Sequence, residues 1–120
     1  MAQTDTRIAE LRQVLVAQRR HVLSQAAQHE DELRWLDEDV EPEIVEEGQE
    51  AMLARLLARL DDRERDAIAA IDRALARIAL GEYGLCTDCG TAILFERLRV
   101  LPAAELCFSC AEAREASRRK

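Results

Sequence analysis

Aromatic residues are scarce in this 120-residue chain. One Trp, one Tyr and two Phe make up 3% of the sequence, although hydrophobic residues as a whole reach 48%. The apolar content is therefore mostly Ala, Leu, Ile and Val, which suits helices but does not fill the thick core of a large globular domain. The length fits one small domain or one elongated unit.

Long apolar runs are also missing. No stretch approaches the roughly 20 apolar residues that span a bilayer, and Met1 to Glu10 lacks the apolar core of a signal peptide. We therefore expect a soluble, cytoplasmic protein. The formal net charge of −7 argues against a chain that binds nucleic acid by overall attraction to phosphate.

Helix-breaking residues are few and unevenly placed. The chain has four Gly and two Pro, and the stretches 3–40 and 49–80 contain neither. Apolar residues recur at helical spacing in both stretches. In the first they are Ile8, Leu11, Leu15, Val22, Leu33 and Leu36; in the second they are Leu53, Leu56, Leu57, Leu60, Ala67, Ile68, Ile71, Leu75 and Ile78. We predict one long amphipathic helix in each, folded back as an antiparallel coiled-coil hairpin.

The fold class expected from this pattern is all-α. Residues 1–80 form the hairpin, with an acidic tip near 38–48. At Gly81 the long period ends, and residues 81–120 are predicted to hold a C4 zinc finger and a short C-terminal helix. A run of mixed charge at 61–66 interrupts the second stripe, and we interpret it as exposed helix with ion pairs.

All four cysteines of the chain fall in two C-x-x-C pairs, Cys86 with Cys89 and Cys107 with Cys110, separated by seventeen residues. Each pair places two thiolates on one side of a tight turn, and two such pairs complete the tetrahedral shell of a structural Zn²⁺. Gly90 permits the left-handed backbone that often follows such a turn. We predict one structural zinc ion bound by these four residues.

Other uses of the cysteines have less support. Disulfides would need an oxidising compartment, a thioredoxin-like motif needs a βαβ setting, and an iron–sulfur site lacks supporting spacing. A closed Cys₄ shell leaves no position for a reacting water. Because no nucleophile–base pair or phosphate loop accompanies it, we expect no enzymatic activity.

Negative charge is concentrated in one segment. Residues 30–50 hold eleven of the 24 acidic residues and one of the 17 basic ones, a net charge of −10 that leaves +3 on the rest of the chain. Such acids commonly solubilise an exposed turn and complement the N-terminal dipole of the helix that follows. Glu43 and Glu46 lie where the turn projects farthest from the cysteines, so they are the candidates for a contact with a partner.

The cysteine region resembles the DksA/TraR family of C4 zinc-finger transcription regulators. The resemblance lies in G-E-Y-G-x-C-x-x-C-G at 81–90 and in the matching residues that follow. They are Ile93, Arg97, Leu98, Pro102, Ala104, Leu106, Cys107 and Cys110. A long helical hairpin before the finger is also a feature of the family, so the resemblance extends over most of the chain.

The resemblance implies a bacterial, cytoplasmic, monomeric protein that binds RNA polymerase. Family members insert the hairpin into the secondary channel of the polymerase and modulate initiation, without recognising a DNA sequence themselves. The best-studied members carry D-x-x-D-x-A at the tip. The corresponding residues here are Glu43, Glu46 and Gly48, so the charge is kept on longer side chains.

The resemblance also implies roles for residues around the finger. Arg97 matches a family position and is expected either to dock on polymerase or to pair locally with Glu96 or Glu105, whereas Arg99 is expected to pair locally. Apart from the resemblance, Arg114 belongs to a basic tail that is either a solvated end or a contact with polymerase or phosphate. Family members that respond to guanosine tetraphosphate carry basic residues where this chain has Leu101 and Ala111. We therefore expect a weak response or none.

Two other functions fit parts of the sequence. A nucleic-acid-binding zinc ribbon would use the same cysteines, but the basic stripe that such a module needs is missing. A zinc-finger coiled-coil adaptor for another protein would use the same hairpin. Trp35, near the tip, is expected either to close the end of the hairpin core or to contact a partner, and His21 and His29 are expected at the hairpin seam or surface.

Overall fold

The structure is a computed structural model that describes residues 5–38 and 47–119. Within those ranges it is all-helical, with one isolated bridge between Leu85 and Ala92 and no strand. The helices are α1 (Asp5–Ala26), α2 (Glu30–Asp37), α3 (Glu47–Ala58), α4 (Asp62–Leu80), α5 (Phe95–Val100) and α6 (Phe108–Arg118). The predicted fold class is therefore confirmed.

Helices α1 and α4 form the antiparallel pair that the apolar stripes predict. Arg19 of α1, 9% exposed, is bound to Asp72 of α4 through its Nε at 2.7 Å. On the finger side of this ion pair lies a core of buried residues from both helices and from the finger, which we call the finger-side core. It comprises Leu11, Leu15, Ile71, Ala74, Leu75, Tyr83, Cys86, Ile93 and Leu98.

The prediction that each arm of the hairpin is one long helix is wrong. Helix α1 ends at Ala26 and α2 begins at Glu30, while α3 ends at Ala58 and α4 begins at Asp62. At 1.5 Å rise per residue, a straight second arm would put Leu56 and Ile68 about 18 Å apart along its axis. Instead both are buried in one cluster, the junction core, which comprises Leu23, Ala26, Leu36, Leu56, Leu60 and Ile68.

The chain bends at both breaks, and at the first it folds back on itself. In a straight first arm Leu23 and Leu36 would lie about 20 Å apart, yet both belong to the junction core. A shallow cleft bordered by Ala17 and His21 of α1 and by Leu33 of α2 places α2 back along α1. Apolar side chains at the turns therefore gain burial that neither straight arm would give them.

Side chains stabilise the ends of the broken helices. Asp61 accepts the Glu64 N–H at 2.8 Å and the Glu64 carboxylate accepts the Asp61 N–H at 3.0 Å, so α4 starts with a reciprocal capping box. The charged run at 61–66 thus begins a helix rather than lying within one. Its predicted ion pairing is confirmed in Arg65–Asp62, at 2.8 Å on the exposed surface.

Glu32 and Arg59 connect the two breaks. Arg59 Nη1 donates to Glu32 Oε1 at 2.7 Å and to the carbonyl oxygen of Ala26 at 3.0 Å. Glu32 Oε1 also accepts the backbone N–H groups of Gln28 and His29 at 2.9 and 3.2 Å. The Arg59 guanidinium, together with these N–H groups, lowers the pKa of Glu32 from 4.5 to about 2.

The finger packs on the base of the hairpin. The Tyr83 hydroxyl donates to the Pro102 carbonyl oxygen at 2.8 Å inside the finger-side core. Burial there raises the pKa of Tyr83 to about 12. Above the Phe95 ring of α5 lies the Arg7 guanidinium of α1, 4.4 Å from the centroid. The short helix α5 is therefore held between the finger and the first turns of α1.

The remaining sequence predictions fall on both described and undescribed residues. Glu43 and Glu46 lie outside the described residues, and Gly48 lies in the first turn of α3. Trp35 packs against the junction core, as the first of its two predicted roles requires. His21 and His29 are exposed, as predicted. None of the described helices combines the length and the apolar character needed to cross a bilayer.

Candidate metal centre

The first C-x-x-C pair lies in a tight turn after α4. Gly81 ends that helix at φ +74°, and its N–H donates to the Ile78 carbonyl oxygen. Beyond Cys86 the chain turns back, with the Gly90 N–H donating to the Cys86 carbonyl at 2.9 Å and the Cys86 N–H to the Thr91 carbonyl at 2.8 Å. Gly90 has φ +78°, so its predicted left-handed backbone is confirmed.

The second pair begins a helix. Cys107 is the N-cap of α6, and its Sγ accepts the Cys110 N–H at 3.5 Å. The Ala111 N–H donates to the Cys107 carbonyl oxygen at 3.0 Å, which continues the turn directly into α6. No glycine is needed here because the chain after Cys110 is helical. The N-terminus of a helix also favours negative charge on the nearby sulfurs.

The two pairs are joined by bonds that do not involve sulfur. The backbone N–H and the side-chain hydroxyl of Thr87 both donate to the Glu105 carbonyl oxygen, at 2.8 and 3.2 Å. The Glu105 carboxylate in turn accepts from Arg73 Nε of α4 at 2.5 Å. These contacts bring the segment before Cys107 alongside the first turn and fasten both to the hairpin.

The four sulfur atoms of Cys86, Cys89, Cys107 and Cys110 all lie within 4.8 Å of one another. With Zn–S bonds of about 2.3 Å, a tetrahedral site requires sulfur–sulfur separations of about 3.8 Å. Cys89 Sγ and Cys107 Sγ are 3.8 Å apart. The donor set and its spacing therefore fit a four-coordinate zinc ion.

Hydrogen-bond donors stabilise thiolates in this cluster. The pKa of Cys86 is lowered to about 6, chiefly by the N–H of Cys107 and less by those of Cys89 and Asp88. The Thr91 hydroxyl, 2.9 Å from Cys89 Sγ, is the main cause of the lowered pKa of that thiol. By contrast, the neighbouring Cys107 and Cys86 sulfurs raise the pKa of Cys110. Four thiolates this close need a cation among them.

The sequence singled out three arginines around the finger. Arg97 Nε donates to the Leu106 carbonyl oxygen at 3.0 Å, just before Cys107. Arg114 of α6 is bound to Asp88 at 2.7 Å, and its side chain remains 56% exposed. Arg99 pairs with Glu96 at 3.1 Å on the surface, so its predicted local role is confirmed. Each arginine therefore has a structural partner within the finger.

The comparisons with known proteins support the same assignment. Residues 81–116 match the family described as prokaryotic dksA/traR C4-type zinc finger. The chain is 28% identical to DksA2, a transcription factor of Pseudomonas aeruginosa, and the two structures superpose with a TM-score of 0.64 over 97% of this chain and 88% of that one. The chain belongs to the DksA/TraR family. Its C4 cluster accordingly binds one structural zinc ion, as predicted.

Two further comparisons extend beyond the finger. The DnaK suppressor protein of Agrobacterium tumefaciens is 30% identical to this DksA/TraR family member, with a TM-score of 0.55 over 94% of this chain and 95% of that one. The RNA polymerase-binding transcription factor DksA of Escherichia coli K12 is 35% identical over 77 residues. That match covers 62% of this chain and about half (51%) of the relative.

Several contacts of the DksA/TraR finger were not foreseen from the sequence. They are the bonds of Thr91 to Cys89, Thr87 to Glu105 and Tyr83 to Pro102. Thr91 has a recognisable sequence signal, because it directly follows the glycine of the first turn. The other two join residues 18 and 19 positions apart, so no local pattern indicates them.

Proposed function

We propose that this protein is an RNA polymerase-binding transcription regulator that catalyses no reaction of its own. The observation that carries the proposal is the structural likeness to DksA2 over 97% of the chain, together with the matched finger at 81–116. The E. coli relative is named for polymerase binding. A role on bacterial RNA polymerase places the protein in the cytoplasm.

In this proposal the hairpin enters the secondary channel of the polymerase and its tip modulates initiation. Glu43, Glu46 and Gly48 occupy the tip positions, and the net charge of −10 over residues 30–50 supports a contact with cationic groups or Mg²⁺ near the active centre. The finger and α6 dock at the rim of the channel and use Arg97 and Arg114. The remaining length of the hairpin sets the distance between these two contacts.

The contacts of the arginines in the finger and of Arg73 beside it favour a protein partner over nucleic acid. Arg73, Arg97, Arg99 and Arg114 are all bound to carboxylate or carbonyl oxygens of the described chain. Cations already engaged in this way neutralise few phosphates. Salt-dependent binding to DNA in the absence of polymerase would instead support the zinc-ribbon alternative.

The tip is tested by the double substitution Glu43→Ala and Glu46→Ala. We expect the variant to lose its effect on initiation in a reconstituted transcription assay while it still binds polymerase. The matched control is Glu10→Ala with Asp66→Ala, which removes the same charge from exposed residues of α1 and α4. Equal loss of binding and of effect in the tip variant would show that the tip merely docks.

The docking contact is tested by Arg114→Ala, compared with Arg99→Ala. Both changes remove one exposed arginine and one ion pair, but only Arg114 is proposed to contact polymerase. We expect Arg114→Ala to raise the dissociation constant for polymerase and Arg99→Ala to leave it unchanged. The zinc content should be unchanged in both variants. Equal affinities for the two variants would remove Arg114 from the docking surface.

A further inference from the structure

Local sequence does not force either break in the hairpin, although Asp61 is a favourable N-cap for α4. Residues 27–29 and 59–61 contain no Gly or Pro. Ala27, Gln28, Arg59 and Leu60 are all residues that readily continue a helix. The apolar residues on the two sides of each break also keep a common helical spacing, which is why the sequence predicts unbroken helices. Contacts elsewhere in the molecule must therefore favour the folded-back arrangement.

One ion pair spans the two breaks. Arg59, just after α3, donates through Nη1 both to Glu32 of α2 and to the last carbonyl oxygen of α1, that of Ala26. Glu32 meanwhile accepts the N–H groups of Gln28 and His29, which unbroken helix would bond internally. The pair thus satisfies backbone groups that the break exposes on the first arm and ties the second arm to them.

The site around Glu32 also contains buried polar atoms without hydrogen-bond partners, which destabilise it. Glu32 is fully buried, and its Oε2 has no hydrogen-bond partner among the described residues. Within that part of the chain the buried Trp35 Nε1, one helical turn further along α2, is also without a partner. Unpaired buried polar atoms destabilise the state that contains them. Because these unpaired atoms destabilise the folded-back state, that state depends on the ion pair of Glu32 with Arg59.

We propose that the Glu32–Arg59 pair is a latch that holds the hairpin folded, and that its release lets each arm run through its break as a longer helix. Each state has its own stabilising interactions. The open state has more backbone hydrogen bonds within its helices and a solvated Glu32, and the closed state has the buried junction core. This latch is a property of the chain itself, so it does not depend on the proposed role on polymerase.

The two states differ greatly in length. Residues 27–37, extended from the end of α1, would lengthen the first arm by about 16 Å. Residues 47–61, extended from the start of α4, would lengthen the second by about 22 Å. Opening also removes Trp35, the only tryptophan, from the junction core. Trp35 fluorescence and small-angle scattering therefore report on the latch.

The first test uses Glu32→Gln in the full-length, zinc-loaded protein. We expect a red shift of Trp35 emission, an increase in the maximum dimension on the order of 15 Å, and helical ellipticity at 222 nm that is kept or increased. The matched control is Asp62→Asn, which removes the same charge and breaks the exposed Arg65–Asp62 pair beside the second break. The control is expected to match the parent protein in all three measurements.

The second test separates a latch from a merely structural contact. Gln28 is exposed and contributes its backbone N–H to the closed state, so Gln28→Gly keeps that bond and disfavours helix through the break. Added to Glu32→Gln, it should shift the equilibrium back toward the folded state by about threefold. A structural role for Glu32 predicts no such recovery.

Arg59→Met, which removes the pair from the other arm, should reproduce the effects of Glu32→Gln. Loss of ellipticity together with the red shift in both variants would overturn the proposal, because it would mean that the junction unfolds rather than straightens. Unchanged Trp35 emission and unchanged dimensions would also overturn it.

Discussion

The finger and the junction are two small regions that hold the same hairpin by different means. The finger closes around four sulfurs within 4.8 Å of one another, with a left-handed glycine and backbone donors fixed in sequence around them. The junction is closed by Arg59, Glu32 and apolar side chains from four helices. The ligands of a metal site can thus be recognised from their short spacing in the sequence. A bend in a helical arm, by contrast, depends on residues that are distant in sequence.

Removal of the zinc ion should have the largest effect, and it should affect the finger but not the junction. Binding of a structural zinc supplies on the order of 10 kcal/mol of folding free energy. Chelation, or Cys89→Ser, should therefore unfold residues 81–116 and expose the finger-side core, while Trp35 emission changes little because Trp35 packs on the junction core. Metal analysis and near-ultraviolet circular dichroism of Tyr83 measure the loss of zinc and the unfolding of the finger. Trp35 fluorescence reports whether the junction core stays folded. Simultaneous loss of both signals would show that the regions fold as one unit.

Core truncation gives the next largest effect. Leu56 and Leu98 are both fully buried, the first in the junction core and the second in the finger-side core. Replacing either by Ala should lower the free energy of unfolding by about 2–5 kcal/mol, as measured by urea denaturation. Only Leu56→Ala is expected to shift the emission of native Trp35. A shift of the same size in Leu98→Ala would contradict the division into two cores.

Acid should weaken the junction by protonating Glu32. The pKa of Glu32 in the folded protein, about 2, lies below its ordinary 4.5, so ionised Glu32 favours the folded state. Its contribution is complete above about pH 4.5 and is lost as the pH falls through 2. The urea midpoint of the parent protein should fall over this range more steeply than that of Glu32→Gln. If the urea midpoints of the parent protein and of Glu32→Gln changed in parallel with pH, ionised Glu32 would not contribute to stability.

The smallest effect concerns a single hydrogen bond in the finger. Tyr83→Phe removes the bond to the Pro102 carbonyl oxygen and keeps the buried ring. The expected loss is about 1 kcal/mol of unfolding free energy, with zinc content unchanged. Arg99→Ala, which breaks an exposed pair with Glu96, is the comparison and should cost less than about 0.5 kcal/mol. A larger loss in Arg99→Ala than in Tyr83→Phe would reverse this order.

The sequence allowed the finger to be predicted in detail because its determinants lie close together. Spacing alone identified Cys86, Cys89, Cys107 and Cys110, and turn chemistry identified Gly90. The same reasoning identified the α1–α4 pairing, since Leu11, Leu15, Ile71 and Leu75 repeat at helical intervals. The four aliphatic residues and Cys86 are buried in the finger-side core, and Cys107 and Cys110 pack against it. Cys89 and Gly90 are exposed.

The bends could not be predicted, because neither break contains Gly or Pro and the apolar residues on its two sides keep a common helical spacing. What favours them is the burial of Leu36 and Leu56 in one core and the bond between Glu32 and Arg59, which are 27 positions apart. Asp61 with Glu64 was the one local signal of a helix start, and it lay within a charged run that also fits exposed helix. For Glu43 and Glu46 the assignment to the tip stays a prediction.

We propose above all that this DksA/TraR family member acts on RNA polymerase through the secondary channel. The most direct measurement is the binding of the purified, zinc-loaded protein to bacterial RNA polymerase, followed by competition with a Gre-type factor for the same channel. We predict saturable binding that the Gre-type factor displaces. Absence of binding, or binding that the competitor leaves unchanged, would contradict this proposal and favour an adaptor for another protein.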